Sequence, residues 1–412
     1  MARVADVVVV GCGAIGLPLA VALASRGARV TGFDIDAGKV RALRTGDAGM
    51  LDEGLAAALN AALQLGALDF TEALAASPTA RAYIIAVPTP VDADGRFVDG
   101  PLRQAWASVS EVAGDGELVV VRSTTPVGTV RRLSAACDGR LAIAACPDRS
   151  ISGRAFAEQF AVPHIVGGMD AAASQAARDL FAPLGDVRLV STPEAAEATK
   201  LFANVWRDAR FALANQLALY CEGAGLDFEE IRSAGADGFA RFDLPRAGPV
   251  GGPCLIKDVY LLTRNAQTDL GLFEQARAFN RRLAEHVVRR VADEVALRPG
   301  PARVAVLGLA FKGSPPTLDQ RGSLGLEIAE GLGRSLEVRG WDPAAEDRLA
   351  GDEAVAGASA IVLATDHPLL ADPRRLDGCA EGAFVYDLCG ILPDGAPTRS
   401  DLVVDRLGRG RR

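Results

Sequence analysis

The segment Gly11-Cys12-Gly13-Ala14-Ile15-Gly16 constrains this chain more than any other, because of what stands on either side of it. Before it runs Val4-Ala5-Asp6-Val7-Val8-Val9-Val10, a β-branched stretch of buried-strand type; after it, residues 17–25 are rich in leucine and alanine and read as a helix. Strand, glycine turn and helix open a doubly wound sheet, and the glycines permit a tight turn, close approach of a pyrophosphate and close packing of helix on strand. The helix N-terminus then presents N–H groups to phosphate. A second strand over 29–33 ends at Asp34, where a carboxylate can accept hydrogen bonds from an adenosine ribose and disfavours a 2′-phosphate. The pattern predicts a site for NAD rather than NADP, formed by Gly11, Gly13, Ala14, Ile15, Gly16 and Asp34. Asp36 alongside reads as a turn cap.

Further buried-type strands read at 82–87, 118–121, 141–145 and 164–167, and their alternation with helical stretches predicts a parallel sheet. From Pro193 to Gly223 the chain has no internal proline or glycine, and Ala196, Leu201, Phe202, Val205 and Trp206 recur at helical spacing, which predicts one long helix. A second helical stretch over 269–297 is broken by Pro299-Gly300-Pro301, the best linker in the sequence. The strand pattern then restarts at 303–308, 335–342 and 360–364. The expected fold is α/β, with two Rossmann-like, doubly wound parallel-sheet domains joined by a long central helix. The expected boundaries are 1–190 for the dinucleotide domain, 191–298 for a central helical domain and 299–412 for the second sheet domain.

Composition narrows the functional classes. Hydrophobic residues make up 49% of the 412 positions, but no apolar run is long enough to cross a bilayer and no basic and apolar leader follows Met1-Ala2-Arg3. The expectation is a soluble, cytoplasmic protein without a membrane partner. Seven cysteines lack paired metal-type spacing, so neither a disulfide framework nor a metal site is expected. A net charge of -8 argues against nucleic acid as a partner, while an anionic small molecule needs only local positive charge. The basic residues at 406–412 read as a solvated end.

The chemistry centres on Gly251-Gly252-Pro253-Cys254-Leu255-Ile256-Lys257-Asp258. Glycines allow close backbone approach to a ligand and a neighbouring cation favours a thiolate, so Cys254 has the ingredients of an activated nucleophile; the competing reading is a space-filling thiol. Val87-Pro88-Thr89-Pro90 and Arg122-Ser123-Thr124-Thr125-Pro126 each close a strand, as ligand segments or as turns alone. Lys200 and Asn204 are spaced i, i+4 and share a helix face, as site residues or as a solvated stripe. Asp148 follows a strand directly and is the best carboxylate to activate a water, although Asp148-Arg149 could be a surface pair. Phe311-Lys312-Gly313 and Asp319-Gln320-Arg321-Gly322-Ser323 supply cations beside a strand end, as an anionic ligand requires. His164, His286 and His367 adjoin none of these motifs and read as structural.

Taken in order, Gly11 to Ala20, Ala86 to Pro90, Ser123 to Pro126, Lys200 with Asn204, Gly251 to Cys254 with Lys257-Asp258, and Gly308-Leu309-Ala310-Phe311-Lys312 resemble the nucleotide-sugar 6-dehydrogenases, the UDP-glucose/GDP-mannose dehydrogenase family, over essentially the whole chain. The resemblance implies an N-terminal NAD domain, a long central helix at a dimer interface, a C-terminal domain holding a nucleotide-sugar, and a homodimer or higher homo-oligomer. It implies four-electron oxidation at C6 of the sugar through a thiohemiacetal and a thioester on Cys254. Lys200 and Asn204 would stabilise the oxyanion, Asp258 and Asp148 would serve the hydrolytic water, and Thr124 would complete the catalytic set. Lys39, Val87, Pro88, Thr89, Ser123 and Thr124 would join the NAD site. Arg149, Arg241, Gly251, Lys257, Lys312 and Arg321 would join Lys200 and Asn204 in holding the substrate. Two departures stand out: Pro147-Asp148 where the family usually has Pro-Glu, and a longer, proline-richer segment after Lys312. Residues 146–154 look like the UDP-N-acetylhexosamine branch, whereas Lys257-Asp258 is common in the glucose and mannose branches. The reading favours a UDP-N-acetylhexosamine, with UDP-glucose, GDP-mannose or a catalytically silent nucleotide-binding protein as alternatives.

Overall fold

The computed structural model describes residues 6–75, 80–298, 302–345, 348–393 and 399–410. The linker expected at Pro299-Gly300-Pro301, and the last two residues of the basic end, lie outside the described residues. The chain forms two compact units, Met1–Ala203 with Tyr260–Asp269, and Asn204–Val259 with Leu270–Arg412.

In the first unit, β1 (Asp6–Val10), β2 (Arg29–Phe33), β3 (Leu68–Thr71), β4 (Ala80–Ile85), β5 (Leu118–Val121), β6 (Ala142–Ala145), β7 (His164–Gly168) and β8 (Val187–Leu189) form one sheet. Its order is β3-β2-β1-β4-β5-β6-β7-β8. The valine run of β1 is explained by burial on both faces: Val7 and Val9 pack with Leu17, Leu19 and Leu23, while Val8 and Val10 pack with Leu102, Trp106 and Val109. The helix Gly16–Ser25 is apolar all round because it is buried from Gly16 to Ala24.

The sheet departs from the all-parallel expectation at one pair. β7 runs antiparallel to β6, with Ala144 opposite Gly168 and Ala145 opposite Gly167. The intervening segment packs its helix Ala155–Ala161 against Gly16–Ser25 and re-enters beside the carboxyl end of β6, so β7 has to run back along it.

In the second unit, β9 (Arg303–Leu307), β10 (Glu337–Trp341), β11 (Ala360–Leu363), β12 (Phe384–Asp387) and β13 (Val403–Arg406) form a wholly parallel sheet in the order β10-β9-β11-β12-β13. The long helix spans Pro193–Ala224, its residues to Ala203 belonging to the first unit and the rest to the second, and another helix runs over Gly271–Ala296 in the second unit. Residues 406–410 are not the solvated tail that their charge suggests. Arg406 closes β13, Gly408 N donates to Glu222 at 2.9 Å and Gly410 N to Leu226 O at 2.7 Å, so backbone pairing holds the segment down. Among the described residues no helix is long and apolar enough to cross a membrane.

Candidate functional site

β1 and β4 are neighbours whose chains leave in opposite lateral directions, which opens a crevice at their carboxyl ends. The three glycines of the first turn have distinct surroundings there. Gly11 has φ +92°, and a Cβ on it would lie 2.6 Å from the Ala86 carbonyl oxygen; one on Gly16 would lie 1.8 Å from the Gly11 oxygen. Both are demanded by packing. A Cβ on Gly13 would meet nothing within 4 Å, so this position leaves open the space a pyrophosphate would approach.

Asp34 stands at the end of β2 and accepts from Cys12 N at 2.9 Å, Asp36 N at 3.0 Å and Lys39 Nζ at 2.9 Å. Burial pushes its carboxyl up, but Lys39 and the two N–H groups outweigh this and hold its pKa below the ordinary value. It is therefore held as an anion at the end of β2, and the residues present fit NAD. Asp36 caps the helix Ala37–Arg44 through Gly38 N and Lys39 N. Ser123 Oγ donates to Val87 O at 2.7 Å, which ties the Ser123-Thr124 segment to Val87-Pro88-Thr89.

Asp148 is buried rather than part of a surface pair with its neighbour. Arg122 Nη2 donates to its Oδ1 at 2.7 Å, while Ser150 Oγ at 2.7 Å and Ser150 N at 3.1 Å reach Oδ2. Burial alone would raise its pKa, but Arg122 and then Lys200 outweigh it and keep the carboxyl below the ordinary range. His164 lies in the same cluster, with Nε2 at 3.0 Å from Gln159 O and Nδ1 facing Arg122 at 3.4 Å. Arg149 turns elsewhere, donating to Pro163 O at 3.2 Å.

In the second unit, Cys254 immediately precedes the helix Leu255–Thr263, and its carbonyl accepts Asp258 N at 2.9 Å. Among the described residues it is the exposed cysteine; Cys12, Cys146, Cys221 and Cys379 are buried. Burial pushes the Cys12 thiol up to about 12, as befits an inert space-filling residue. Cys254 instead stands at a helix N-terminus, where backbone N–H groups can meet an anion. Arg321 lies within electrostatic range of Cys254. Close backbone packing accounts for this proximity. Gly252 N donates to Gly322 O at 3.1 Å, a Cβ on Gly251 would lie 2.1 Å from that oxygen, and Gly252 has φ +95° against the Phe311 ring. Asp258, 1% exposed, accepts from Asn204 Nδ2 at 2.5 Å and Lys257 Nζ at 2.7 Å.

Supports that the sequence reading did not find hold these segments. Asn215 donates to Gly248 O at 3.0 Å and accepts Gly248 N at 2.8 Å, and Arg277, paired with Asp208 at 2.8 Å, reaches Val250 O at 3.4 Å. They brace the approach to Cys254, and the available signal was a set of polar residues on otherwise apolar helix faces. Two aspartates pin the loop that carries Lys312. Asp342 Oδ2 accepts Leu309 N and Ala310 N, each at 2.6 Å, and Asp366 Oδ1 accepts Gly313 N at 2.9 Å and Ser314 N at 3.0 Å. Lys312 lies over the Phe311 ring, Arg321 pairs with Asp319 at 2.6 Å, and Arg241 lies over the Phe239 ring.

Known proteins resemble this chain along most of its length. Residues 5–185 match the model of the UDP-glucose/GDP-mannose dehydrogenase family, NAD binding domain, and residues 194–282 match the central domain of the same family. UDP-N-acetyl-D-mannosamine dehydrogenase of Pyrococcus horikoshii is 35% identical over 379 residues, covering 88% of this chain and 89% of the relative. The enzyme of the same name from Escherichia coli K12 is 30% identical, covering 88% and 94%. The solved structure of the UDP-D-ManNAc dehydrogenase from Pyrococcus horikoshii superposes with a TM-score of 0.87 at 31% identity, covering 98% and 99%. A UDP-glucose dehydrogenase from Pyrobaculum islandicum gives 0.85 at 26% identity, covering 98% of each chain. The chain belongs to the UDP-glucose/GDP-mannose dehydrogenase family and is an NAD-dependent nucleotide-sugar dehydrogenase.

Proposed function

We propose that this enzyme oxidises the C6 hydroxymethyl group of a UDP-N-acetylhexosamine, with UDP-N-acetylmannosamine the favoured substrate, to the uronate. The observation that carries the chemistry is the exposed Cys254 at a helix N-terminus, within electrostatic range of Arg321 and one turn before the braced Asp258. The relatives at 35% and 30% identity support the sugar.

Bound NAD supplies the hydride acceptor for both oxidations. Lys200 and Asn204 donate to the C6 oxygen as it gains charge, with Thr124 completing the set. The Cys254 thiolate adds to the aldehyde carbon, and oxidation of the resulting thiohemiacetal leaves a thioester. Water then attacks the acyl carbon, the C–S bond breaks with the pair returning to sulfur, and the uronate departs. Asp258 and Asp148 are the carboxylates assigned to orient that water and take its proton. Overall, one CH2OH group, two NAD+ and one water give one carboxylate, two NADH and three protons. Lys257, Lys312, Arg321, Arg149, Arg241 and the backbone at Gly251 hold the nucleotide-sugar. Residues 1–190 take NAD, 191–298 form the dimerisation segment and 299–412 take the nucleotide.

A homodimer is supported by the exposed row Phe202, Trp206, Leu213, Leu217 and Tyr220 on the long helix, which falls within an arc of about 60° at ~100° per residue. The test of the substrate is NADH release across UDP- and GDP-linked sugars. Preference for UDP-N-acetylmannosamine upholds the reading. Preference for UDP-glucose, in line with the Pyrobaculum likeness, replaces the sugar but keeps the chemistry, and silence with every sugar overturns both.

A further inference from the structure

The long helix carries a buried acid that the proposed chemistry leaves unused. Glu197 is 1% exposed and stands three residues before Lys200, in the adjoining turn of the same helix. Its Oε1 accepts Val130 N at 2.9 Å and Thr125 Oγ1 at 3.2 Å, and its Oε2 accepts Gly128 N at 2.6 Å. These donors close the segment that runs from Ser123 to the left-handed Gly128, φ +87°, ahead of the helix Thr129–Ala135. The other end is fixed separately, by Ser123 N to Ile85 O at 3.1 Å and Ser123 Oγ to Val87 O at 2.7 Å. Thr124 is thus suspended between the end of β4 and a carboxylate on the helix that bears Lys200.

We propose that Glu197 is a positioning residue for the NAD site: its carboxylate fastens the Ser123–Thr125 segment to the long helix, and its protonation loosens that segment. The inference rests on the assignment of Ser123 and Thr124 to the dinucleotide. An ionised carboxylate accepts all three donors, whereas a protonated one must turn a hydrogen toward one of them. Burial pushes Glu197 up to about 7, overriding the three hydrogen bonds, and the charge of Glu194 adds to the rise. The charged groups around it are few. Glu194, one turn earlier, is paired with Arg131 of the helix Thr129–Ala135 at 2.5 and 3.0 Å. Arg132 of that helix donates to Thr129 Oγ1 at 2.9 Å, and Lys200 follows on the long helix. Loosening of this segment therefore falls in the neutral pH range.

The experiment is a fluorescence titration of NADH onto the full-length enzyme between about pH 6 and about pH 8.5. Wild-type affinity falls as pH drops through about 7. Glu197→Gln binds about tenfold more weakly at the alkaline end, as loss of a charged hydrogen-bond acceptor implies, and shows no such pH dependence. Thr125→Val, which removes one bond that stabilises the carboxylate, moves the midpoint to higher pH. A Glu197→Gln enzyme that keeps the wild-type pH dependence, or a Thr125→Val midpoint that does not move, overturns the proposal. Thr124→Ala separates the two levels: unchanged NADH affinity there removes the site assignment and this inference with it. Weakened affinity there, together with a wild-type-like Glu197→Gln, removes this inference alone.

Discussion

Asn204 donates its side-chain amide to Asp258 at 2.5 Å, and Lys257 donates to the other oxygen of the same carboxylate at 2.7 Å. Asp258 is buried and its backbone N–H caps the Cys254 carbonyl, so acid and thiol are one helical turn apart on a single rigid element. Such bracing suits a group that must hold water in a fixed direction. Asp258→Asn should leave both hydride transfers intact in a single turnover but slow steady-state turnover by roughly 100-fold or more, the range for a lost general base. Mass spectrometry after incubation with substrate and NAD should then show an acyl adduct on Cys254. Uronate release at the wild-type rate would remove Asp258 from the hydrolytic step.

Asp148 should respond differently from Asp258, although both are assigned to hydrolysis. Its carboxylate forms a buried pair with Arg122, and breaking one partner of such a pair costs about 3–5 kcal/mol because the other charge is left unpaired. Asp148→Asn should therefore lower the thermal midpoint measurably as well as trap acyl-enzyme. An Asp148→Asn protein as stable as wild type would show that Arg122 finds another partner.

Cys254→Ala should abolish uronate formation while NADH still binds, and Arg321→Ala should slow alkylation of Cys254 by iodoacetamide, because the nearby cation that favours the thiolate is gone. Turnover near wild type in Cys254→Ala would overturn covalent catalysis. Unchanged alkylation in Arg321→Ala would show that Arg321 does not activate the thiol.

Asp34 should select the cofactor. Its carboxylate is held ionised at the end of β2, so the wild type should use NADP poorly through repulsion of the 2′-phosphate, and Asp34→Ala should weaken NAD binding. Equal catalytic efficiency with the two cofactors would contradict the assignment.

What the sequence made legible followed from local rules. The valine run, the glycine turn and Asp34 lie within one βαβ stretch, and Pro193–Ala224 announces itself by lacking breakers until its end. Short edge strands were harder: Leu68–Thr71, Val187–Leu189 and Val403–Arg406 are three or four residues long with partly exposed patterns, and pairing with a neighbour defines them. Phe384–Asp387 is fully buried yet also short, and periodicity cannot separate it from a piece of helix. Glu197 could not be told from an ordinary helix-surface acid, because its partners Gly128 and Val130 are brought to it by tertiary packing. The same holds for Asp148, whose partner Arg122 lies on a different strand end, and for Gly322, whose contact with Gly252 explains why Arg321 stands near Cys254.

Two buried groups of the first unit should drive its stability in opposite directions with pH. His164 is neutral in the fold: Nε2 donates to Gln159 O, and a proton on Nδ1 would face the Arg122 guanidinium. Burial, then Arg122, lowers its pKa from 6.5 to about 4. Between those values the unfolded chain binds the proton and the native one does not, so this contribution is present above pH 6.5 and is lost as pH falls toward 4, amounting to on the order of 3 kcal/mol. Glu197 has the reverse sign. Its native pKa, raised from 4.5 to about 7, means the native state keeps a proton that the unfolded state has released, so stability falls as pH rises through that window. Thermal melts should accordingly show the difference between wild type and His164→Gln shifting in favour of wild type as pH rises from 4 to 6.5. The difference between wild type and Glu197→Gln should shift against wild type as pH rises from 4.5 to 7. Parallel pH profiles for wild type and both variants would mean that neither group titrates in the fold as its surroundings demand.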